Sequence, residues 1–156
     1  MYKYFIIFIC FLCFSQFAHA DLKVVDGDSL EQNNERIRLE GIDAPEYLQI
    51  CENALAEEYN CGEKSTQYLQ ELIANKDVNC ECLKQSDKYN RKLCECFINN
   101  NVSLNQEMIR AGWATRYRTE KYLSDEQDAK QKGIGLWQGK FMRPALFRIL
   151  QKFRNN

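Results

Sequence analysis

The sequence predicts an α+β domain in which five short strands form a small β-barrel of the OB-fold type, accompanied by about three helices. Two observations favour this class. The periodic segments occur in the order three strands, one helix, two strands and two helices, and five short strands with an interposed helix suit a small closed barrel. The 156 residues are 45% hydrophobic and contain no internal repeat, low-complexity tract or linker, so we expect one domain with one core.

Residues 1–20 are expected to be a cleaved signal peptide, which leaves a domain that spans residues 21–156. Lys3 supplies a positive charge, residues 5–14 form a ten-residue apolar core, and Ala18-His19-Ala20 has the pattern of a cleavage site. Ten apolar residues are too few to cross a bilayer, which needs about 20. The alternative is an uncleaved membrane anchor. We expect a secreted or periplasmic protein that has no contact with the membrane after cleavage.

Three short strands open the mature chain, and turns separate them. The strands are expected at residues 22–25, 29–30 and 36–39. Asp26-Gly27-Asp28 is typical of a tight turn, and the polar residues 32–35 predict a second one. A loop then leads to a helix over residues 62–75, whose Leu69, Leu72 and Ile73 form one apolar stripe.

Two further helices are indicated by their end signals. Ser103 is suited to cap a helix that runs to Ala111, and Gly112 ends it. Residues 124–127 read Ser-Asp-Glu-Gln, the pattern of a capping box, and predict a last full helix that ends at Gly133. The tail, residues 140–156, carries five basic residues and no acidic one, and we interpret it as a solvated basic face.

The mature chain has six cysteines, an even number that favours disulfides in an oxidising compartment: Cys51, Cys61, Cys80, Cys82, Cys94 and Cys96. The last four form two C-x-C pairs on predicted strands. If these strands pair antiparallel, one register places Cys80 opposite Cys96 and Cys82 opposite Cys94. The alternatives are a four-thiolate zinc site and free buried thiols. A bridge between the first two cysteines requires the chain between them to fold back, because a helix would hold them about 15 Å apart.

Cleavage would also remove His19, the only histidine. This excludes Ser-His-Asp triads, Cys-His dyads and histidine-ligated zinc hydrolases, so proton transfer must use carboxylates, Lys, Arg, Tyr or metal-bound water. The mature chain has 20 basic and 22 acidic residues, which is not the strongly basic balance of a general nucleic-acid binder. A polyanion must therefore be held by a local group of residues.

Three clusters of polar residues could supply such a group. They are Asp26-Gly27-Asp28-Ser29 on a turn, residues 38–46 at the end of a strand, and residues 87–91 in the loop of the predicted C-x-C hairpin. Carboxylates that converge from different segments suit hard cations such as calcium. Arg38 and Arg91 supply forked donors for phosphate oxygens.

These clusters together resemble the staphylococcal nuclease (thermonuclease) family. The matching motifs are Asp26-Gly27-Asp28-Ser29, Arg38-x-x-Gly41-Ile42-Asp43-Ala44-Pro45-Glu46, Asp87-Lys88-Tyr89-x-Arg91, Gln49-x-Cys51, Cys61-Gly62, Ala111-Gly112-Trp113-Ala114, Gly133-x-Gly135-Leu136-Trp137 and Pro144 with Arg148. The similarity spans about residues 22–148. It implies an OB-fold barrel and calcium-dependent hydrolysis of DNA and RNA, with 3′-phosphate products and no covalent intermediate.

The resemblance also implies a role for each matched residue. Asp28, Asp43 and the backbone carbonyl of Ala44 would bind Ca²⁺, and Asp26 would orient these ligands. Glu46 would be the general base or would position the attacking water. Arg38 and Arg91 would stabilise the charge of the transition state. The substrate contacts would come from three further residues: Lys88, Tyr89 and Tyr117.

The pairing Cys51–Cys61 and Cys80–Cys96 is also implied by the resemblance to secreted bacterial members, with Cys82 and Cys94 as an additional pair. A monomer is the default expectation.

Two other functions remain open. The chain could be a non-catalytic OB-fold module that binds single-stranded nucleic acid, or a small structural domain held by disulfides. All of Asp28, Asp43, Glu46, Arg38 and Arg91 are present, which favours the enzyme.

Overall fold

An antiparallel meander followed by a parallel crossover builds the main sheet of this protein. The computed structural model describes residues 22–99 and 101–154, and the expected signal peptide lies outside them. The strands are β1 (Leu22–Asp26), β2 (Ser29–Gln32), β3 (Glu35–Leu39), β4 (Ile42–Asp43), β5 (Ile50–Glu52), β6 (Glu58–Asn60), β7 (Val78–Ser86), β8 (Lys92–Ile98), β9 (Val102–Ser103) and β10 (Thr115–Arg116). The helices are α1 (Cys61–Ile73), α2 (Leu104–Arg110), α3 (Leu123–Lys132) and α4 (Pro144–Arg154), with a 3-10 helix at Gly135–Gln138. The α+β class is confirmed.

The strand pairing differs from the single closed barrel of five strands that the sequence predicts. The main sheet has the order β1-β2-β3-β8-β7, with β9 also paired to β8, while β4–β10 and β5–β6 form separate ladders. In the part of the chain that the structure describes, β1 and β7 are edges that do not pair with each other. The physical reason is that α1 packs against β1, while β7 is largely exposed beyond its pairing with β8.

The helix ends test the predicted caps. Ser103 caps α2, since its Oγ accepts a hydrogen bond from the backbone N–H of Gln106 at 3.3 Å. Gly133 ends α3 with a left-handed φ of 60°. The capping box at residues 124–127 is wrong, because α3 already begins at Leu123 and its N-cap residue Tyr122 makes no side-chain cap.

Helix α1 begins at Cys61, one residue before the predicted start, because Asn60 accepts from the N–H of Glu63 at 2.9 Å. The tail predicted to be only a solvated basic face contains α4, which starts at the buried Pro144. Proline suits the first position of a helix, since its fixed φ is already helical and the missing N–H is not needed there.

Among the described residues no helix has the length and apolar content that a membrane span needs.

All six cysteines of residues 22–99 form disulfides. In the β7–β8 ladder Cys80 lies opposite Cys96 and Cys82 opposite Cys94, which confirms the register that the C-x-C spacing allows. Both pairs are bridged, and Cys51–Cys61 joins β5 to the first residue of α1. The β5–β6 hairpin provides the fold-back that this third bridge requires. The zinc and free-thiol alternatives are therefore wrong.

Asn105 on α2 ties the centre of the sheet to the segment that follows β3. Its Nδ2 donates to the carbonyls of Glu40 at 2.9 Å and Cys94 at 3.1 Å, and its Oδ1 accepts from the N–H of Cys96 at 3.1 Å. The side chain is fully buried. Since Glu40 lies between β3 and β4, these bonds hold the backbone that carries the candidate site.

We predict that Asn105→Ala lowers the free energy of unfolding by about 1–3 kcal/mol, because it leaves a buried N–H and two carbonyls without their partner. Urea denaturation of the oxidised protein measures this change. The matched control is Asn101→Ala at an exposed position, for which a change within about 0.5 kcal/mol is expected. Equal stability of the two variants would contradict the role of Asn105.

Candidate active site

The turn between β1 and β2 directs one carboxylate into the protein. The backbone N–H of Asp28 donates to Asp26 Oδ1 at 3.0 Å, which closes the turn. Gly27 is required at its centre, since a Cβ there would lie 2.0 Å from Ser65 Oγ and 2.8 Å from the Cβ of Ala44. As a result the Asp28 side chain is buried, and its Oδ2 accepts from the N–H of Ala44 at 2.7 Å.

Arg38 on β3 joins two carboxylates from different segments. The register of β2 and β3 places Arg38 opposite Ser29, the residue after Asp28. Its guanidinium forms ion pairs with Asp28 Oδ1 and, at 2.8 Å, with Asp43 Oδ1. The same Nη2 donates to the carbonyl of Ile42 at 3.1 Å. Arg38 is only 8% exposed, so these contacts fix both carboxylates in a site of low solvent access.

Glu46 follows β4 in a tight loop and meets the same cluster through a second arginine. Gln49 N–H donates to the carbonyl of Glu46 at 2.7 Å, which closes the loop. Arg148 on α4 donates to Glu46 Oε1 and to Asp43 Oδ1, each at 2.8 Å. One guanidinium therefore links the carboxylate of the loop to the carboxylate of β4.

Arg91 approaches from the β7–β8 loop, where Asp87 holds it. Asp87 Oδ2 accepts from Arg91 Nε at 2.8 Å and pairs with Nη2 at 2.7 Å, while Oδ1 accepts the backbone N–H groups of Tyr89 and Arg91. Burial alone raises the pKa of Asp87, but these hydrogen bonds outweigh burial and lower the pKa below its ordinary value. Parallel pairing places Arg38 beside Leu93, two residues after Arg91, so the two arginines are close.

The pKa of Arg38 shows which charged groups lie near its guanidinium. Burial lowers the pKa of its guanidinium, the charge of Asp43 opposes this, and the charges of Arg91 and Arg148 add to the lowering. Asp26 also acts on Arg38, by raising the pKa. Three guanidinium groups thus act on one another near the carboxylates, and guanidinium groups are suited to bind an anion such as a phosphate group.

In the described residues, the side chains of the three predicted substrate contacts make no hydrogen bond to Asp28, Asp43 or Glu46, and only the backbone N–H of Tyr89 bonds to Asp87. Lys88 and Tyr89 are exposed on the β7–β8 loop, and Lys88 Nζ lies 5.0 Å from the centroid of the Tyr89 ring. Tyr117 follows β10, and its backbone N–H donates to the carbonyl of Gly41 at 2.9 Å. Its ring lies 4.9 Å from the Arg118 guanidinium carbon.

The oxygen atoms of Asp28, Asp43 and Ala44 are the candidate metal donors. Residues 22–99 and 101–154 contain no group of three or more acidic, histidine or cysteine side chains that could hold a metal. Asp28 and Asp43 share Arg38 and offer carboxylate oxygens, while the contact of Ala44 with Asp28 is made by its backbone N–H. Hard cations such as Ca²⁺ take such ligands and complete their coordination with water. Oxygen is therefore the right type of donor for Ca²⁺, although in this structure both carboxylates are paired with guanidinium groups.

Two members of this cluster have no role that the sequence predicts. Arg148 and Asp87 belong to the motifs that resemble the family, but the motifs assign neither of them a function. Residues 140–156 contain no acidic residue, so a carboxylate partner for Arg148 can come only from elsewhere in the chain. That partner lies 102 residues away at Glu46.

Comparison with known proteins identifies the family model that this chain matches. The model described as "Staphylococcal nuclease homologue" matches residues 36–139. This range includes Arg38, Asp43, Glu46 and Arg91, whereas Asp28 and Arg148 lie outside it.

Curated relatives match most of this chain. The "Succinoglycan biosynthesis protein ExoI" of Rhizobium meliloti is 34% identical over 118 residues, which are 73% of this chain and 61% of that protein. An "Uncharacterized endonuclease" of Escherichia coli O157:H7 is 34% identical over 126 residues, 74% of each chain. The "Probable endonuclease lcl3" of Botryotinia fuckeliana is 28% identical over 131 residues, 76% of this chain and 48% of that protein. The chain thus spans less than two thirds of the length of the first and the third of these relatives.

We predict that Gly62→Ala destabilises the loop that carries Glu46. A Cβ at position 62 would lie 1.7 Å from the Glu46 carbonyl oxygen and 2.6 Å from that of Tyr47, so the backbone has to move. We expect a loss of about 1–3 kcal/mol in the free energy of unfolding. The control is Lys64→Ala, an exposed substitution on the same helix. Denaturant unfolding compares the two, and a Gly62→Ala protein as stable as the control would disprove the close approach.

Proposed function

This chain belongs to the staphylococcal nuclease family, and we propose that it is a secreted, calcium-dependent nuclease that hydrolyses phosphodiester bonds of DNA and RNA. The single observation that carries the proposal is the charge cluster around Asp43. Its Oδ1 accepts from both Arg38 and Arg148, and these guanidinium groups reach Asp28 and Glu46. The names of the Escherichia coli and Botryotinia fuckeliana relatives support endonuclease activity.

In the proposed reaction Arg38 and Arg91 bind the non-bridging oxygens of the scissile phosphate. Arg38 is held in advance by Asp28 and Asp43, and Arg91 by Asp87, so neither side chain has to be ordered when substrate binds. Fixed cations of this kind stabilise charge that develops in the transition state more effectively than mobile solvent does. In this proposal the mature chain promotes hydrolysis without histidine.

Glu46 is proposed to orient a water molecule and to accept its proton as the water attacks phosphorus. The bond between phosphorus and the 5′ oxygen breaks, the departing 5′ oxygen takes a proton from solvent, and Glu46 later returns its proton to solvent, which leaves a 3′-phosphate and a 5′-hydroxyl end. Asp28, Asp43 and the carbonyl of Ala44 would hold Ca²⁺, with Asp26 orienting the turn beneath them. When bound, the cation would polarise the phosphate and neutralise part of its charge.

Substrate contacts outside the scissile phosphate are proposed for the exposed Lys88 and Tyr89 and for the half-buried Tyr117. In this proposal Lys88 and Tyr89 on the β7–β8 loop bind the neighbouring phosphate, and Tyr117 contacts the nucleotide. Export is proposed because three disulfides are typical of proteins from an oxidising compartment. A monomer is the proposed state.

We predict that residues 21–156, purified in the oxidised form, cleave plasmid DNA, single-stranded DNA and RNA with calcium, and that a chelator abolishes cleavage. Gel electrophoresis follows the digestion, and end-group analysis tests for 3′-phosphate. Parallel samples with magnesium test the choice of cation. Binding of single-stranded DNA without cleavage under every condition would instead indicate the non-catalytic OB-fold module.

We predict that Glu46→Gln and Arg91→Ala each lower kcat by about 10²- to 10⁴-fold, because one removes the proton acceptor and the other a cation that faces the developing charge. Initial rates with a labelled oligonucleotide measure the loss. The matched controls are Glu81→Gln and Arg154→Ala, which remove exposed charges elsewhere and are expected to keep wild-type rates. Full activity in both site variants would refute the assigned roles.

A further inference from the structure

Arg148 is the one guanidinium of the cluster that comes from the C-terminal helix α4. Its Nη1 donates to Glu46 Oε1 and its Nη2 to Asp43 Oδ1, each at 2.8 Å, across 102 and 105 residues of sequence. Burial by itself lowers the pKa of Arg148, but the hydrogen bond to Glu46 and the charge of Asp43 outweigh burial and raise it. Arg148 therefore stays a cation and forms a hydrogen-bonded ion pair with each of the two carboxylates.

The start of α4 is fixed to the loop that presents Glu46. Gln49 is fully buried, and its Nε2 donates to the carbonyl of Met142 at 2.7 Å, just before α4 begins. The backbone N–H of the same residue donates to the carbonyl of Glu46. One residue thus holds both the loop with the carboxylate and the chain that enters the helix with the guanidinium, so their approach is built into the backbone.

The geometry of the Glu46 carboxylate shows what this contact provides. Only Oε1 is bonded to Arg148, while no hydrogen bond to Oε2 is found within the described residues. The side chains of Glu46 and Arg148 are 38% and 36% exposed, and ion pairs this exposed contribute little to stability. The main consequence of the contact is therefore the orientation of the carboxylate: one oxygen is held, and the other is left for a water molecule.

Resting on the nuclease function proposed above, we propose that Arg148 is a positioning residue that fixes the Glu46 carboxylate relative to Asp43 for the attacking water. It acts through Glu46, in contrast to Arg38 and Arg91, whose proposed partner is the phosphate itself. Loss of such a supporting contact typically costs about 10- to 100-fold in activity.

The first test is a double-mutant cycle in steady-state kinetics with a labelled oligonucleotide. Arg148→Gln is expected to lower kcat by about 10- to 100-fold with KM unchanged. Arg148→Lys is expected to recover only part of the loss, because an ammonium group cannot make the two-pronged contact. In the Glu46→Gln background, Arg148→Gln is expected to cause no further loss, since residues that act as one unit are non-additive. Lys152→Gln is the control, a charge removed from an exposed site on the same helix.

The second test separates positioning from phosphate binding without turnover. In chelator, fluorescence anisotropy measures the Kd of a single-stranded oligonucleotide for Arg148→Gln and Lys152→Gln, and equal values are expected. Denaturant unfolding verifies that each variant is folded, and Arg148→Lys replaces Arg148→Gln in every comparison if the latter does not fold.

Several results would overturn the inference. These are an unchanged kcat, a loss that simply adds to that of Glu46→Gln, and a Kd weakened in the Arg148 variant alone, which would make Arg148 a phosphate ligand. If the wild-type protein is active and Glu46→Gln is not, an Arg148 variant with unchanged kcat refutes the role of Arg148 but leaves the proposed nuclease function intact. An inactive wild-type protein defeats the proposed function, and this inference with it.

Discussion

The buried guanidinium of Arg38 is the contact on which the arrangement of the cleft depends. A cation with so little solvent access is costly unless it is paired and hydrogen-bonded, and Asp28, Asp43 and the carbonyl of Ile42 supply that pairing. The two carboxylates come from different segments and would repel each other without a cation between them. Pairing through Arg38 therefore brings together the turn after β1 and the end of β4.

The remainder of the scaffold restricts the backbone on either side of that contact. Asn105 holds the segment after β3, Gly62 admits the loop of Glu46 against α1, and Cys51–Cys61 ties β5 to the same helix. A disulfide reduces the entropy of the unfolded chain. In the chain-entropy model this stabilises the folded state by about 3 kcal/mol for a loop of 15 residues. Such bridges suit a small domain whose loops must be rigid enough to present charged groups.

The charges are local rather than global. A chain with nearly balanced acidic and basic residues has no overall field that attracts a polyanion. Three of its guanidinium groups, those of Arg38, Arg91 and Arg148, instead lie near enough to affect one another, and each of the three is paired with a carboxylate. Preorganised cations lose little freedom when an anion binds, so the cluster can act strongly although the net charge is small.

Local sequence determined the features that depend on near neighbours. The C-x-C spacing specified the register of Cys80 with Cys96, because side chains alternate along a strand, and Ser103 specified the start of α2 through its own hydroxyl. The resemblance supplied the identity of the candidate site residues. Only the tertiary structure decided that the strands form an open sheet with separate ladders, and that Arg148 meets Glu46. Contacts across 102 residues leave no periodic pattern in a sequence, since they depend on how whole elements pack and on which buried charges must find a partner.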